Sequence, residues 1–197
     1  MRKNLGFCQS AAMTADPVAP PLPVTRVAIL SGSVVVVAVS LTWAFLSMRA
    51  VMGVGGTCAD GGPYVVAQPC PDGAWLIAVG IPLLLVAAFA GSFAATSLGA
   101  PDLILPMWFL LFASLGANFL DFGLWSDPWE WSWIVCGVVF ELMALPALYL
   151  MLPIPGSSSW TPTAARPTRR SGLWWWAYLG LGLIGFVLGY VTYRAAS

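Results

Sequence analysis

The chain has 197 residues, of which 59% are hydrophobic and only 8% charged, with zero formal net charge and a mean hydropathy of +0.85. A soluble domain of this length would be about a quarter charged, so the composition belongs to the membrane class and offers no broad basic surface for nucleic acid. Histidine is absent, which removes histidine-ligated metal and haem sites and any nucleophile that depends on a histidine base.

The four cysteines, Cys8, Cys58, Cys70 and Cys136, contain no CxxC pair, which argues against a disulfide-relay enzyme. Neither a metal nor another cofactor is expected. Seven of the eight basic residues are arginine, and Ala, Gly, Val and Pro abound, a composition compatible with a GC-rich bacterial genome.

Residues 1–25 carry Pro17, Pro20, Pro21 and Pro23 and have too little apolar surface to bury, so they read as a disordered, Pro-rich cytoplasmic tail. No apolar run follows Lys3 before Val27, which excludes a signal peptide reading, and "LGFC" at Cys8 lacks the apolar stretch of a lipoprotein signal. Residues 26–197 then form one transmembrane domain. Five apolar spans, approximately 27–48, 74–97, 103–123, 128–152 and 173–193, each reach the roughly 20 residues needed to cross a hydrocarbon core. Lipid offers no hydrogen-bond partners, so each span is expected to be a helix. The fold class is thus all-α, a five-helix membrane bundle. The short connections at 98–102 and 124–127 make spans 2, 3 and 4 antiparallel neighbours.

Arg2, Lys3 and Arg26 of the tail and Arg166, Arg169 and Arg170 of the 153–172 loop fall on one side of such a bundle, against Arg49 and Arg194 on the other. The positive-inside rule then predicts a plasma-membrane protein with a cytoplasmic N-terminus and an extracytoplasmic C-terminus. Trp125, Trp129, Trp131 and Trp133 mark the outer interface, and Trp174, Trp175 and Trp176 the inner one, with an aromatic binding platform as the second reading of these clusters. Arg166, Arg169 and Arg170 are expected to contact anionic lipid headgroups.

The one polar stretch, "GGTCADGGPYVVAQPCPDG" at 55–73, lies outside in this topology, where disulfides persist. Cys58 and Cys70 are the only cysteines there, and their bridge would close a 13-residue ring worth about 3 kcal/mol in the loop-entropy model. Gly61, Gly62 and Pro63 suit a turn, Tyr64–Ala67 a small hairpin or flap, and Asp72 a cap for the second helix. Such a loop can serve as a rigid cap or as a recognition surface. The pattern Gly55-Gly56-x-Cys58-Ala59-x-Gly61-Gly62-Pro63-Tyr64, then Cys70-Pro71-Asp72-Gly73, resembles a loop of uncharacterised multi-pass membrane proteins of actinobacteria. The likeness covers about a tenth of the chain and implies location and a disulfide, not chemistry.

Within the spans, Asp127, Pro128 and Glu130 read as N-cap, N1 and N3 of the fourth helix, an Asp version of the capping box, and Asp102 as a cap of the third. Glu141 has no such role. It lies 13 residues past Pro128 and 11 before Leu152, near the bilayer midplane, where a charge costs about 2.5 kcal/mol or more. Gly137 leaves room one turn away, and Pro146 frees the Leu142 carbonyl. Ser114, Asn118 and Asp121 form a stripe on the third span; a polar track from the surface to Glu141 is conceivable, with Arg49 pairing with Asp121. Glu141 then either binds a proton or cation or hydrogen-bonds a neighbouring helix, with Asn118 and Ser114 as interhelical contacts. Gly182, Gly185 and Gly189 on the fifth span, and Ala87, Gly91 and Ala95 on the second, are small-residue seams, used within the chain or against another protein. Cys8 is expected to be a cytosolic thiol and Cys136 a buried apolar residue.

With no nucleotide loop, no nucleophile motif and one deep charge, the first reading is a non-catalytic accessory or scaffold subunit of a membrane complex, partnered by lipid and by another membrane protein or a second copy. The alternative is a small proton- or cation-coupled transporter or channel component centred on Glu141. An integral-membrane enzyme ranks third, because Asp121, Asp127 and Glu130 are accounted for as caps and rim.

Overall fold

A computed structural model describes residues 23–59, 68–152 and 169–197. They form five α-helices and, among these residues, no strand: α1 (Val24–Gly53), α2 (Leu76–Leu98), α3 (Ile104–Leu124), α4 (Trp131–Met151) and α5 (Arg169–Ala196). All five are long and apolar enough to cross a membrane, and the solvent they imply is a lipid bilayer. The 30 residues of α1 amount to about 45 Å, well beyond a hydrocarbon core of about 30 Å. Large apolar side chains stand exposed along α2, α4 and α5, among them Phe93, Leu142, Leu145, Phe186 and Val187. Water would penalise such faces, whereas acyl chains do not.

The bundle is built around α1. Leu30, Ser33, Val37, Ser40, Ala44 and Ser47 are buried along it at alternating spacings of three and four, the heptad rhythm of closely packed helices. Against this stripe α2 turns Gly80, Leu84, Ala87, Gly91 and Ala94. A Cβ on Gly91 would lie 2.7 Å from that of Ser33 and would also collide with Leu103, so the two backbones approach as closely as the side chains allow. The α1 helix offers α5 another side. A Cβ on Gly185 would stand 2.6 Å from the Val35 carbonyl oxygen, and one on Gly189 would stand 3.0 Å from that of Val39. Two tyrosines pin α5 in place: the Tyr178 hydroxyl donates to the Pro101 carbonyl at 2.8 Å and the Tyr193 hydroxyl to Leu46 at 3.4 Å. Trp43 adds an indole hydrogen bond to Thr192 at 2.9 Å.

The α3–α4 hairpin is the second layer. Its seam carries a glycine at three levels: Gly123 faces Ile134, Gly137 faces Leu120, and Gly116 faces Glu141. Phe112, Phe140 and Phe119 stack through it. Trp108 donates to the Met143 carbonyl at 3.1 Å, three residues before Pro146, where a proline loosens the helical ladder.

Four expectations need correction. Although joined by a short connection, α2 and α3 barely touch; α2 has committed its narrow face to α1, and α3 meets it chiefly through Leu103 and Met107. The fourth helix starts at Trp131 without a side-chain cap. The Glu130 amide donates instead to Ser126 Oγ at 3.0 Å, because Ser126 sits in the tight turn leaving α3 and reaches that amide first. Asp72 does not cap α2, which begins only after a turn at Pro71–Trp75 with Gly73 at φ +81°. Cys136 is exposed on α4 rather than buried. By contrast, Asp102 accepts the Ile104 amide at 3.2 Å and helps start α3.

Candidate functional site

The sequence stripe Ser114, Asn118 and Asp121 meets two different fates. Asn118 is 1% exposed and faces α1, where its Nδ2 donates to the Phe45 carbonyl at 3.3 Å and its Oδ1 accepts from Arg49 Nη1 at 3.1 Å. Arg49 Nη2 meets Asp121 Oδ2 at 2.8 Å, so the anticipated Arg49–Asp121 pair is present. The guanidinium also lies 5.8 Å from the ring centre of Phe45 and 5.2 Å from that of Phe122, within cation–π range. Ser114, in contrast, donates to the Leu111 carbonyl of its own helix at 3.0 Å.

Glu141 is at the expected height but on the other side of α3. It packs on Gly116, and residues two apart on a helix point about 200° from one another. Gly116 therefore looks at α4 while Ser114 and Asn118 look elsewhere, and the polar track divides into two separate groups. The space beside Gly137 is filled by Leu120; the room for Glu141 is supplied by Gly116 instead. Glu141 is half-buried and, among the described residues, makes no hydrogen bond or ion pair.

At the end of the bundle holding Arg49, a cleft of about 560 Å³ opens between the end of α1 and the α3–α4 turn. Its walls include Arg49, Asp121, Phe122, Trp125, Glu130 and Trp133. A neighbouring recess of about 510 Å³ shares Trp125 and Ser126 with it and adds Asp127 and Trp129. The Cys58–Cys70 disulfide is formed close to this end, and the Ala59 amide donates to the Gln68 carbonyl at 3.1 Å just inside it. The loop is anchored further where Gly56 packs on Trp133 and where Ser47 donates to the Gly73 carbonyl at 3.1 Å. The turn and flap expected at 61–67 lie outside the described residues, as do Cys8 and Arg166. Arg169 and Arg170 form the first turn of α5.

Of the expected packing residues, Ala87, Gly91 and Ala95 face α1 or Leu103, and Gly185 and Gly189 face α1. Gly182 has open space around its Cβ position. The glycine face of α5 is thus occupied within the chain and is not a free docking surface. Sequence reasoning missed the serine stripe Ser33, Ser40 and Ser47 and the meeting of Trp125, Trp133 and Glu130 with Arg49 in one cleft. The serines were detectable by their spacing of seven; the cleft was not, because it joins α1 to residues far along the chain.

Among the described residues no group of three His, Cys, Asp or Glu side chains is assembled for a metal ion. The fold defines a multi-pass helical membrane protein. Comparison with protein-family models, with curated protein sequences and with solved structures finds no match.

Proposed function

We propose that this chain is a non-catalytic accessory or scaffold subunit of a membrane complex, with its partner lying along the α3–α4 side at Glu141. The observation that carries this is the isolation of Glu141: a half-buried carboxyl midway along α4 with no donor in the described residues. In hydrocarbon such a group favours any arrangement that brings it a hydrogen-bond donor or cation. Occupation of Gly185 and Gly189 by α1 redirects the docking surface from the α5 glycines to α4. The orientation belongs to this reading. The tail and the 153–172 loop hold six of the eight basic residues, which supports a cytoplasmic N-terminus in the plasma membrane. Arg169 and Arg170 then meet anionic headgroups on the inner leaflet. The loop resemblance to uncharacterised actinobacterial membrane proteins fits this placement.

Extraction from the native membrane in mild detergent followed by native mass spectrometry tests the reading. A stoichiometric partner or second copy is expected, retained by wild type and depleted at least tenfold in Glu141→Leu. A lone monomer sinks the proposal. The alternative, a proton- or cation-coupled transporter centred on Glu141, rests on the same carboxyl and makes a different demand: Glu141→Gln must abolish ion flux while leaving assembly intact. The separation of Glu141 from Asn118 and Asp121 on opposite sides of α3 favours the accessory reading.

A further inference from the structure

We propose that the cleft at the Arg49 end binds an organic ammonium group, either that of a small free amine or the headgroup of a zwitterionic lipid. Its volume of about 560 Å³ falls among small-molecule sites, which run from about 300 to 1,000 Å³. The charges on its walls decide the sign of the ligand. Among the described residues Arg49 is the only cation lining it, and this cation is already engaged: Asp121 and the Asn118 oxygen accept two of its donors, and Phe45 and Phe122 lie within reach of its face. Asp121 therefore cancels Arg49 and, among the described residues, leaves Glu130 as the uncompensated charge lining the cleft. Among the described residues the Glu130 carboxylate accepts a single hydrogen bond, from the Ser132 hydroxyl at 3.4 Å, so it retains acceptor capacity.

The apolar walls agree with that sign. Phe122, Trp125 and Trp133 line the cleft, and an aromatic face carries negative electrostatic potential that attracts alkylammonium ions. An anion entering the cleft would meet Glu130 and these rings, and would find in Arg49 a cation whose charge Asp121 already neutralises. The adjoining recess repeats the pattern, with Asp127 beside Trp125 and Trp129, so the surface continuing from the cleft is again acidic and aromatic. This site is independent of the docking surface proposed at Glu141, which lies midway along α4.

The test uses the full chain in phosphatidylglycerol nanodiscs, titrated calorimetrically with choline chloride against sodium chloride of equal ionic strength. Saturable choline binding is expected, with affinity lowered at least tenfold in Glu130→Gln and in Trp125→Ala and unchanged in Glu141→Gln. Trp125 is 85% exposed, so its removal leaves the fold intact and keeps the test informative if Glu130→Gln misfolds. Native mass spectrometry from mixed phosphatidylcholine and phosphatidylglycerol nanodiscs separates the sources. Retained phosphatidylcholine that is lost in Glu130→Gln assigns the site to a headgroup; choline binding without retained lipid assigns it to a free amine. Absence of both, choline binding indifferent to Glu130 and Trp125, or binding of glutamate in place of choline overturns the proposal.

Discussion

Arg49 stands at the end of a membrane helix, where a guanidinium needs acceptors that lipid does not supply, and Asn118 and Asp121 provide them from α3. The two partners differ in weight. With side-chain exposures of 41% and 42%, the Arg49–Asp121 pair is open to screening and contributes little to stability by itself. Asn118 is buried and uses both ends of its amide across the α1–α3 contact, which is otherwise sparse. Interhelical hydrogen bonds in membranes average about 0.6 kcal/mol and reach about 1.7, and removing the amide also leaves a void. Asn118→Ala is therefore expected to lower stability by about 1–3 kcal/mol, read from a denaturing-detergent titration in mixed micelles. A loss below about 0.5 kcal/mol, the ordinary size of a neutral substitution, would show that Asn118 does not hold the hairpin to α1.

At the scale of the helices, stability comes from close backbone approach at small residues, since lipid tails are as apolar as the side chains they would replace. The glycines of α5 allow a direct comparison. Gly189 abuts the Val39 carbonyl at 3.0 Å from its Cβ position, whereas Gly182 has nothing within 4 Å. Gly189→Leu should push α5 away from α1, breaking the Trp43–Thr192 hydrogen bond and destabilising by about 3 kcal/mol, at the upper end of overpacking costs. Gly182→Leu should stay within about 0.5 kcal/mol of wild type. Equal effects in thermal unfolding would refute this assignment of faces. The same elements show how far the sequence could be read. Five apolar runs of sufficient length dictate five helices, and GxxxG spacing marks Gly185 and Gly189 as a seam, because both signals are local. Which helix fills a seam is not local. Nothing in "GLGLIGFVLG" says that α1 lies against it, and nothing in the Ser114, Asn118, Asp121 stripe says that α4 sits on the opposite side of α3. The capping box at Asp127 failed for a related reason: Ser126, held by the end of α3, captured the amide that Asp127 would have needed.

For the molecule as a whole, the two layers share one end at which the disulfide, the Arg49 cluster and the α3–α4 turn come together, and its side of the membrane determines what can reach the cleft. The orientation proposed from the positive-inside rule would put it outside, and the disulfide is compatible with that side, because such bonds persist in oxidising compartments. These arguments share no data: one counts basic residues in the tail and the 153–172 loop, the other rests on the bridged pair Cys58 and Cys70. A single variant tests both. Cys70→Ser leaves Cys58 unbridged, and a membrane-impermeant maleimide applied to intact cells should then label the chain at Cys58, while a Cys58→Ser/Cys70→Ser double variant remains unlabelled. Cys136 sits in the lipid-spanning part of α4, and the double variant, which keeps Cys8 and Cys136, reads out any labelling at those two positions. Opening the ring should also lower stability by about 3 kcal/mol through the freed loop entropy, which the double variant reports without the label. Labelling that appears only after the cells are permeabilised would invert the topology, move the ammonium site to the cytoplasmic face and turn the arginine-rich loop outward.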